Sequence, residues 1–194
     1  MKERYLTTFR RTAVLFYFLA AGIVTASAQF TQKRILERTE PAGRETTLEI
    51  SNKYGKIEIT LWNRDSVYIR TEIEAYAPSQ SRTDKMLSGI SIDFSSSKYL
   101  VKAKTSFDQS PGMILESFKG MTSKVINYDS RIEVNYYVKI PDYISIRLDN
   151  RYGDVFMENL KGNLFLNLSN GSFKAGNIEG SCELNLDFAN ATLN

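Results

Sequence analysis

The sequence predicts an all-β protein in which an N-terminal β-rich part with one short helix leads into a parallel β-solenoid of units of about 18 residues. Three observations carry this expectation. Apolar and polar residues alternate with period two over several stretches. Gly and Asn recur at a fixed spacing towards the C-terminus. The first 28 residues have the composition of a targeting segment and stand outside the fold.

That leading segment has a basic start at Lys2, Arg4, Arg10 and Arg11, followed by an apolar run over residues 13–24. Ala26-Ser27-Ala28 then fits a small-x-small cleavage pattern, so the mature chain is expected to start at Gln29. The run is shorter than the roughly 20 residues a membrane-spanning helix needs, so no transmembrane segment is expected after cleavage. The segment carries four of the 25 basic and one of the 22 acidic residues, so the rest of the chain carries 21 of each. The basic balance therefore belongs to the leader. Lys33-Arg34 is an isolated pair, and without a clustered basic patch nucleic acid is not an expected partner.

Alternation marks the strands. Ile57, Ile59 and Leu61 alternate with polar residues, as do Val67, Ile69, Thr71 and Ile73, and later Ile132, Val134, Tyr136, Val138 and Ile140. Each pattern is that of a strand with one buried face. Asn63-Arg64-Asp65-Ser66 is expected to join the first two as a hairpin-like turn, and Pro141-Asp142 to precede a strand over residues 144–148. One helix is expected where Ser81-Arg82-Thr83-Asp84 offers a cap before Met86, Leu87 and Ile90. Residues 106–124, with Met113, Ile114, Leu115, Phe118 and Met121 among breakers, read as a long loop or flap that packs back on the sheet.

The repeat divides the chain into the leader (residues 1–28), an N-terminal β-rich part (29–143) and the solenoid segment (144–194). Gly153, Gly171 and Ala189 are spaced by 18, and so are Gly162 with Gly180, Asn159 with Asn177, and Leu160 with Ile178. In that register Ile146, Leu164 and Cys182 align; so do Leu148, Leu166 and Leu184, and Val155, Phe173 and Ala191. These positions are the expected core, with Leu160 and Ile178. Gly55, Gly153, Asn159, Gly162, Gly171, Asn177 and Gly180 are the expected corners, since Gly and Asn tolerate positive φ. An antiparallel sandwich with coincidental spacing is the competing arrangement. No capping unit follows the last repeat, so the natural chain is expected to continue beyond Asn194, and end-to-end self-association is the alternative.

Two segments share a signature. Ser51-Asn52-Lys53-Tyr54-Gly55-Lys56-Ile57 and Asp149-Asn150-Arg151-Tyr152-Gly153-Asp154-Val155 lie 98 positions apart, each before a strand. With the leader, the Trp62-Asn63-Arg64-Asp65-Ser66-Val67 phrase and the 18-residue repeats, the chain resembles the bacterial "putative adhesin" family of domains of unknown function. The resemblance covers nearly all of residues 30–194 and implies a secreted, β-helix-like envelope protein. The chain departs from the pattern at Asn170-Gly171, where the aromatic is missing, and at Ala189, where Gly is replaced. Tyr54 and Tyr152 are expected to pack at corners; a sugar-stacking platform is the functional alternative.

No catalytic residue, cofactor or metal site is expected. His is absent, which removes the commonest general base and metal ligand. Cys182, the single Cys, falls on an inward position and reads as a buried small hydrophobe. Asp149, Asp154, Glu158 and Asp187 lie near the repeats, but isolated corner carboxylates are ordinary turn formers. Asp65-Ser66-Val67 resembles an O-glycosylation site, with a plain turn as the simpler reading. The expected function is a non-enzymatic exported envelope or cell-surface interaction protein, an adhesin-like scaffold in the periplasm, on the outer membrane surface or outside the cell. The alternative is a carbohydrate-binding or carbohydrate-active β-helix protein. The expected partner is an envelope protein or a glycan.

Overall fold

The structure, a computed structural model, describes residues 29–108 and 130–193. The leader, most of the expected flap and Asn194 lie outside these residues. The strands in chain order are β1 (Phe30–Pro41), β2 (Thr47–Lys53), β3 (Ile57–Leu61) and β4 (Ser66–Ala77). The helix α1 (Gln80–Ser88) follows, then β5 (Ile90–Ser96), β6 (Leu100–Phe107) and β7 (Arg131–Ile140). The last six are β8 (Ser145–Arg151), β9 (Val155–Met157), β10 (Leu164–Ser169), β11 (Ser172–Ala175), β12 (Cys182–Asp187) and β13 (Asn190–Leu193).

They form two mixed sheets. Sheet A has the order β1-β4-β7-β3-β9-β11-β13, and sheet B the order β12-β10-β8-β2-β6-β5. The all-β expectation stands; the solenoid does not. The repeat strands are not a parallel unit of their own but the continuation of both sheets. β2 pairs with β8 and β3 with β9, so the N-terminal part is built into the same hydrogen-bond ladders. Antiparallel pairs (β1 with β4, β4 with β7, β5 with β6) complete the other end. The physical reason was present in the two matching boxes. Residues that precede equivalent strands 98 positions apart are direct neighbours, Asn52 opposite Asn150 and Ile57 opposite Val155.

The expected hairpin is also corrected. β3 and β4 lie in one sheet but do not pair, because β7 runs between them, parallel to β3 and antiparallel to β4. The helix is capped two residues earlier than expected. Ser79 Oγ accepts from the Arg82 amide at 3.4 Å, and Thr83 faces inward and hydrogen-bonds back to the Gln80 carbonyl at 2.7 Å. Met86 and Leu87 are buried, and α1 packs on β4 and β1. Ile90 belongs to β5.

The inward positions of both sheets share one apolar core. Ile146, Leu148, Val155, Leu160, Leu164, Leu166 and Phe173 are all buried in it. Ile178 and Leu184 are partly buried against it. Cys182 is exposed, contrary to expectation. It keeps the inward register opposite Leu164, but β12 is the last strand of sheet B among the described residues, and no described strand lies beyond it.

The corners work differently from the expectation. No described glycine has positive φ; the left-handed residues are those immediately before the corner position, Tyr54 (67°), Tyr152 (57°), Asn170 (56°) and Phe188 (49°). Asn tolerates this conformation, whereas an aromatic pays about 1–2 kcal/mol for it. Glycine is required for a separate reason, close backbone approach. A Cβ on Gly153 would stand 2.0 Å from the Gly55 carbonyl oxygen, and one on Gly171 2.2 Å from that of Gly153. At the opposite corner a Cβ on Gly162 would stand 1.9 Å from the Ile144 oxygen, and one on Gly180 2.3 Å from that of Gly162.

Side chains bind successive units together at these corners. Asn52 Nδ2 donates to the carbonyls of Gly55 and Val134, and Asn150 Nδ2 to those of Gly55 and Gly153. Asp154 Oδ1 accepts from the Ser172 amide and hydroxyl, both at 2.8 Å. Asn159 Oδ1 accepts from the Asn177 amide at 2.8 Å, and Asn163 Oδ1 from that of Ser181 at 3.0 Å. Such bonds satisfy corner amides that no strand partner reaches.

Candidate functional site

The outward face of sheet A is where side-chain chemistry gathers. Strand register places one residue from each of seven strands in a single row: Glu37, Arg70, Tyr137, Glu58, Phe156, Lys174 and Thr192. They share a face because strand side chains alternate and the register is continuous. Lys56 Nζ lies 4.7 Å from the centre of the Tyr137 ring and 2.8 Å from Glu58 Oε2. The Arg70 guanidinium lies 5.7 Å from the same ring centre, and its Nε is 3.4 Å from Glu37. Tyr137 thus has two cations within about 6 Å of its ring centre, a favourable arrangement for an aromatic face.

Towards β1 the face is a charge network. Glu72, 6% exposed, is bridged by Lys33 at 2.5 Å and by Arg70. Lys33 also meets Glu74 at 2.9 Å. Hydrogen bonds to Glu72 and Glu74 raise the Lys33 pKa above that of a free lysine. The Tyr76 hydroxyl, followed by Lys33, lowers that of Glu74, and the bond to Glu58 raises that of Lys56. Each of these shifts favours the charged form of Lys33, Lys56 and Glu74.

Between β3, β9 and β11 the face opens into a groove of about 550 Å³ lined by Lys56, Glu58, Ile59, Thr60, Phe156, Met157, Glu158, Lys174, Ala175 and Gly176. Phe156 is half-buried at its centre, between Glu58 on β3 and Lys174 on β11. Glu158 Oε2 accepts from the Leu61 amide at 2.6 Å, which fixes one end. Lysines, carboxylates and one aromatic ring therefore surround an open trough, an arrangement suited to holding a polar ligand by its surface.

A second hollow, of about 150 Å³, lies on the other sheet and is lined by Ser51, Asn52, Lys53, Thr105, Phe107, Asp149 and Arg151. The corner tyrosines stand nearby. Tyr54 and Tyr152 stack at 5.4 Å and 11°, and Phe107 meets Tyr54 edge-on at 5.7 Å. Tyr54 is 7% exposed, so its ring is packing material rather than a platform. Burial, followed by the neighbouring Tyr152, pushes its phenol up to about 12.

Of the expected carboxylates, Asp149 lies 3.7 Å from Arg151, Asp154 is tied to Ser172, Glu158 borders the groove and Asp187 is exposed at the end of β12. They do not converge. Among the described residues no three His, Cys, Asp or Glu side chains are placed to hold a metal ion together. Asp65 accepts from the Tyr143 hydroxyl at 2.5 Å, and its carbonyl from the Ala42 amide. The Ser66 carbonyl accepts from Trp62 Nε1 at 2.7 Å, so the Asp65-Ser66 phrase caps the start of β4. Among the described residues no helix is long and apolar enough to cross a membrane.

Sequence reasoning passed over Phe156, Tyr137 and Lys174. Aromatics on the outward phase of a strand pattern were the available signal. Lys174 gave none, since a lone lysine between Phe173 and Ala175 looks like any solvated strand position.

No family model matches the chain, and no curated protein matches it. Among solved structures it is similar to a "putative cell adhesion protein" from Clostridium sporogenes at 10% identity and a TM-score of 0.40, covering 86% of this chain and 100% of that one. A "putative adhesin" from Parabacteroides distasonis is matched at 9% identity and a TM-score of 0.31, over 82% of this chain and 67% of that one. One from Bacteroides fragilis is matched at 10% identity and a TM-score of 0.23, over 84% and 98%. Likenesses this distant carry no argument about fold or function.

Proposed function

We propose that this chain is a non-enzymatic interaction protein of the bacterial envelope, exported and adhesin-like in role, whose contact surface is the outward face of sheet A. The observation that carries the reading is the row from Glu37 to Thr192, seven strands wide, which sets two aromatic rings among charged side chains, with Tyr137 beside Arg70 and Lys56. An active site concentrates groups whose ionisation is shifted towards the working pH and aims them at one reacting atom. Here the shifts on that face hold Lys33 and Lys56 protonated and Glu74 ionised, away from neutrality. Such a face is built to hold a partner.

Export is supported by the basic start, the apolar run and Ala26-Ser27-Ala28. Cell fractionation with cross-linking in intact cells tests the whole reading. The expected result is recovery in the envelope fraction, beginning at Gln29, in reproducible complexes with an envelope polymer or protein. Polysaccharide-turnover assays on the same material are expected to yield no product. A cytoplasmic location, or product formation lost on Asp154→Asn or Glu158→Gln, overturns it.

A further inference from the structure

We infer that the groove at the ends of β3, β9 and β11 binds an uncharged, hydroxyl-rich oligosaccharide chain that lies across the strands over Phe156. The inference rests on the reading of sheet A as a contact surface and adds the chemistry of what it contacts.

Backbone pairing removes one class of ligand. β3 lies between β7 and β9, β9 between β3 and β11, and β11 between β9 and β13. Their main-chain donors and acceptors are engaged on both edges, so an extended peptide cannot add itself as a further strand here. Recognition must come from side chains.

Charge balance removes another. The ionisable lining is Lys56, Lys174, Glu58 and Glu158, two of each sign. Lys56 is already bonded to Glu58. A polyanion or polycation would find its own charge opposed within the groove as often as matched. A neutral polyol meets no such conflict, because its hydroxyls accept from lysine and donate to carboxylate.

The central ring supplies the rest. Phe156 sits in the row between Glu58 and Lys174, with carboxylate and ammonium positions on the strands to either side. Neighbouring strands lie about 4.8 Å apart, so these two positions are separated by roughly 10 Å across the ring. A pyranose has one face of C–H groups and a rim of hydroxyls. Laid on Phe156, it presents apolar hydrogens to the ring and its rim to Glu58 and Lys174. The groove volume of about 550 Å³ falls within the range of roughly 300–1,000 Å³ typical of small-ligand sites. It accommodates a short stretch of chain rather than a single group.

The test is a glycan array on the purified full chain, followed by calorimetric titration with soluble neutral oligosaccharides that score, an oligogalacturonate, and one acidic and one basic peptide. At least one neutral oligosaccharide is expected to bind, with an affinity that changes less than threefold between 50 and 500 mM salt. Phe156→Leu keeps apolar volume without a ring and is expected to weaken binding at least tenfold, while Phe156→Tyr retains it. Lys174→Ala, at an exposed position, is expected to weaken binding about threefold to tenfold without altering the melting temperature. Failure of every neutral glycan, preference for the oligogalacturonate or a peptide, or unchanged binding in both Phe156→Leu and Lys174→Ala overturns the inference. If the parent chain binds no glycan while its envelope complexes form and persist in Phe156→Leu, the contact-surface reading survives and the glycan assignment alone falls.

Discussion

Residues 146–157 and 182–193 stand two repeats apart in the same inward and outward register, with different residues at nearly every position and with different neighbours. Ile146 is 2% exposed, while its counterpart Cys182 is exposed. Leu148 is fully buried and Leu184 partly; Met157 is 6% exposed and Leu193 49%. The inward register is the same in both copies. Alternation thus decides which way a side chain points, whereas strands on both sides decide whether it is dry. The central copy sits between β2 and β10 in one sheet and between β3 and β11 in the other. The outer copy is paired on one side among the described residues, and its energetics should be those of an edge.

The largest effect expected from this comparison concerns backbone contact between copies. Gly153→Ala places a methyl 2.0 Å from the Gly55 oxygen and 2.5 Å from its carbonyl carbon, both main-chain atoms of the neighbouring corner. The strands must separate or the corner must rebuild, and a loss of about 3 kcal/mol or more is expected in denaturant titration. Gly43→Ala meets nothing within 4 Å and is expected to stay within about 0.5 kcal/mol of the parent. Equal stability of the two variants would break the claim that adjacent corners touch through their backbones.

Leu166→Ala comes next. Leu166 is fully buried, with Leu148 on one side and Leu184 on the other, so truncation leaves a cavity worth about 2–5 kcal/mol. Leu184→Ala removes the same atoms from a half-covered position and is expected to cost about 1 kcal/mol or less. A similar cost at both positions would mean that the outer copy is covered after all.

How much of this was legible follows the same division. The 18-residue register could be read because apolar residues recur in columns at that spacing, as in Leu148, Leu166 and Leu184. The merging of repeats with the N-terminal part was legible in principle, since the Tyr54-Gly55 and Tyr152-Gly153 boxes are neighbours, but their separation of 98 residues disguised a contact as a recurrence. The split of β3 from β4 by β7 was not legible. Nothing in residues 63–66 shows that a strand from beyond residue 130 enters between them. Burial of Cys182 failed because periodicity carries no information about the far side of a strand. The groove failed as a reading because Glu58, Phe156 and Lys174 come from three separate segments and meet through sheet register alone.

A smaller effect separates the boxes themselves. Tyr54 is packed between Tyr152 and Phe107, and its neutral phenol is the form the fold holds, with a pKa pushed up to about 12 from 10.0. Below about pH 10 the phenol is neutral both folded and unfolded, and its contribution is complete. From about pH 10 to about pH 12 the unfolded phenol ionises first, so stability falls as pH rises. Tyr54→Phe is expected to make that alkaline decline shallower without removing it, because burial raises Tyr136 in the same direction. Urea titrations at pH 8, 10 and 11 read the difference, and identical slopes for Tyr54→Phe and the parent would refute the assignment.

The smallest effect is at Cys182, where the comparison is sharpest because one inward column changes from dry to wet along its length. Ile146 and Leu164 are each 2% exposed, and Cys182 follows them in register on β12. A thiol buried like its two neighbours would react with a small alkylating reagent only through unfolding, and its replacement would leave a cavity. An exposed thiol reacts in the native state. Partial desolvation raises the Cys182 pKa, so less thiolate is present at neutral pH and reaction is slower than for a free cysteine, although access is open. Cys182→Ser is accordingly expected to change stability by less than about 0.5 kcal/mol. Labelling of the folded chain by iodoacetamide at pH 8 is expected to run to completion, at a rate insensitive to sub-denaturing urea and below that of a model thiol. Labelling that requires denaturing urea would place Cys182 in the dry part of the column, and the contrast between central and outer copies would fail at the residue where it is easiest to measure.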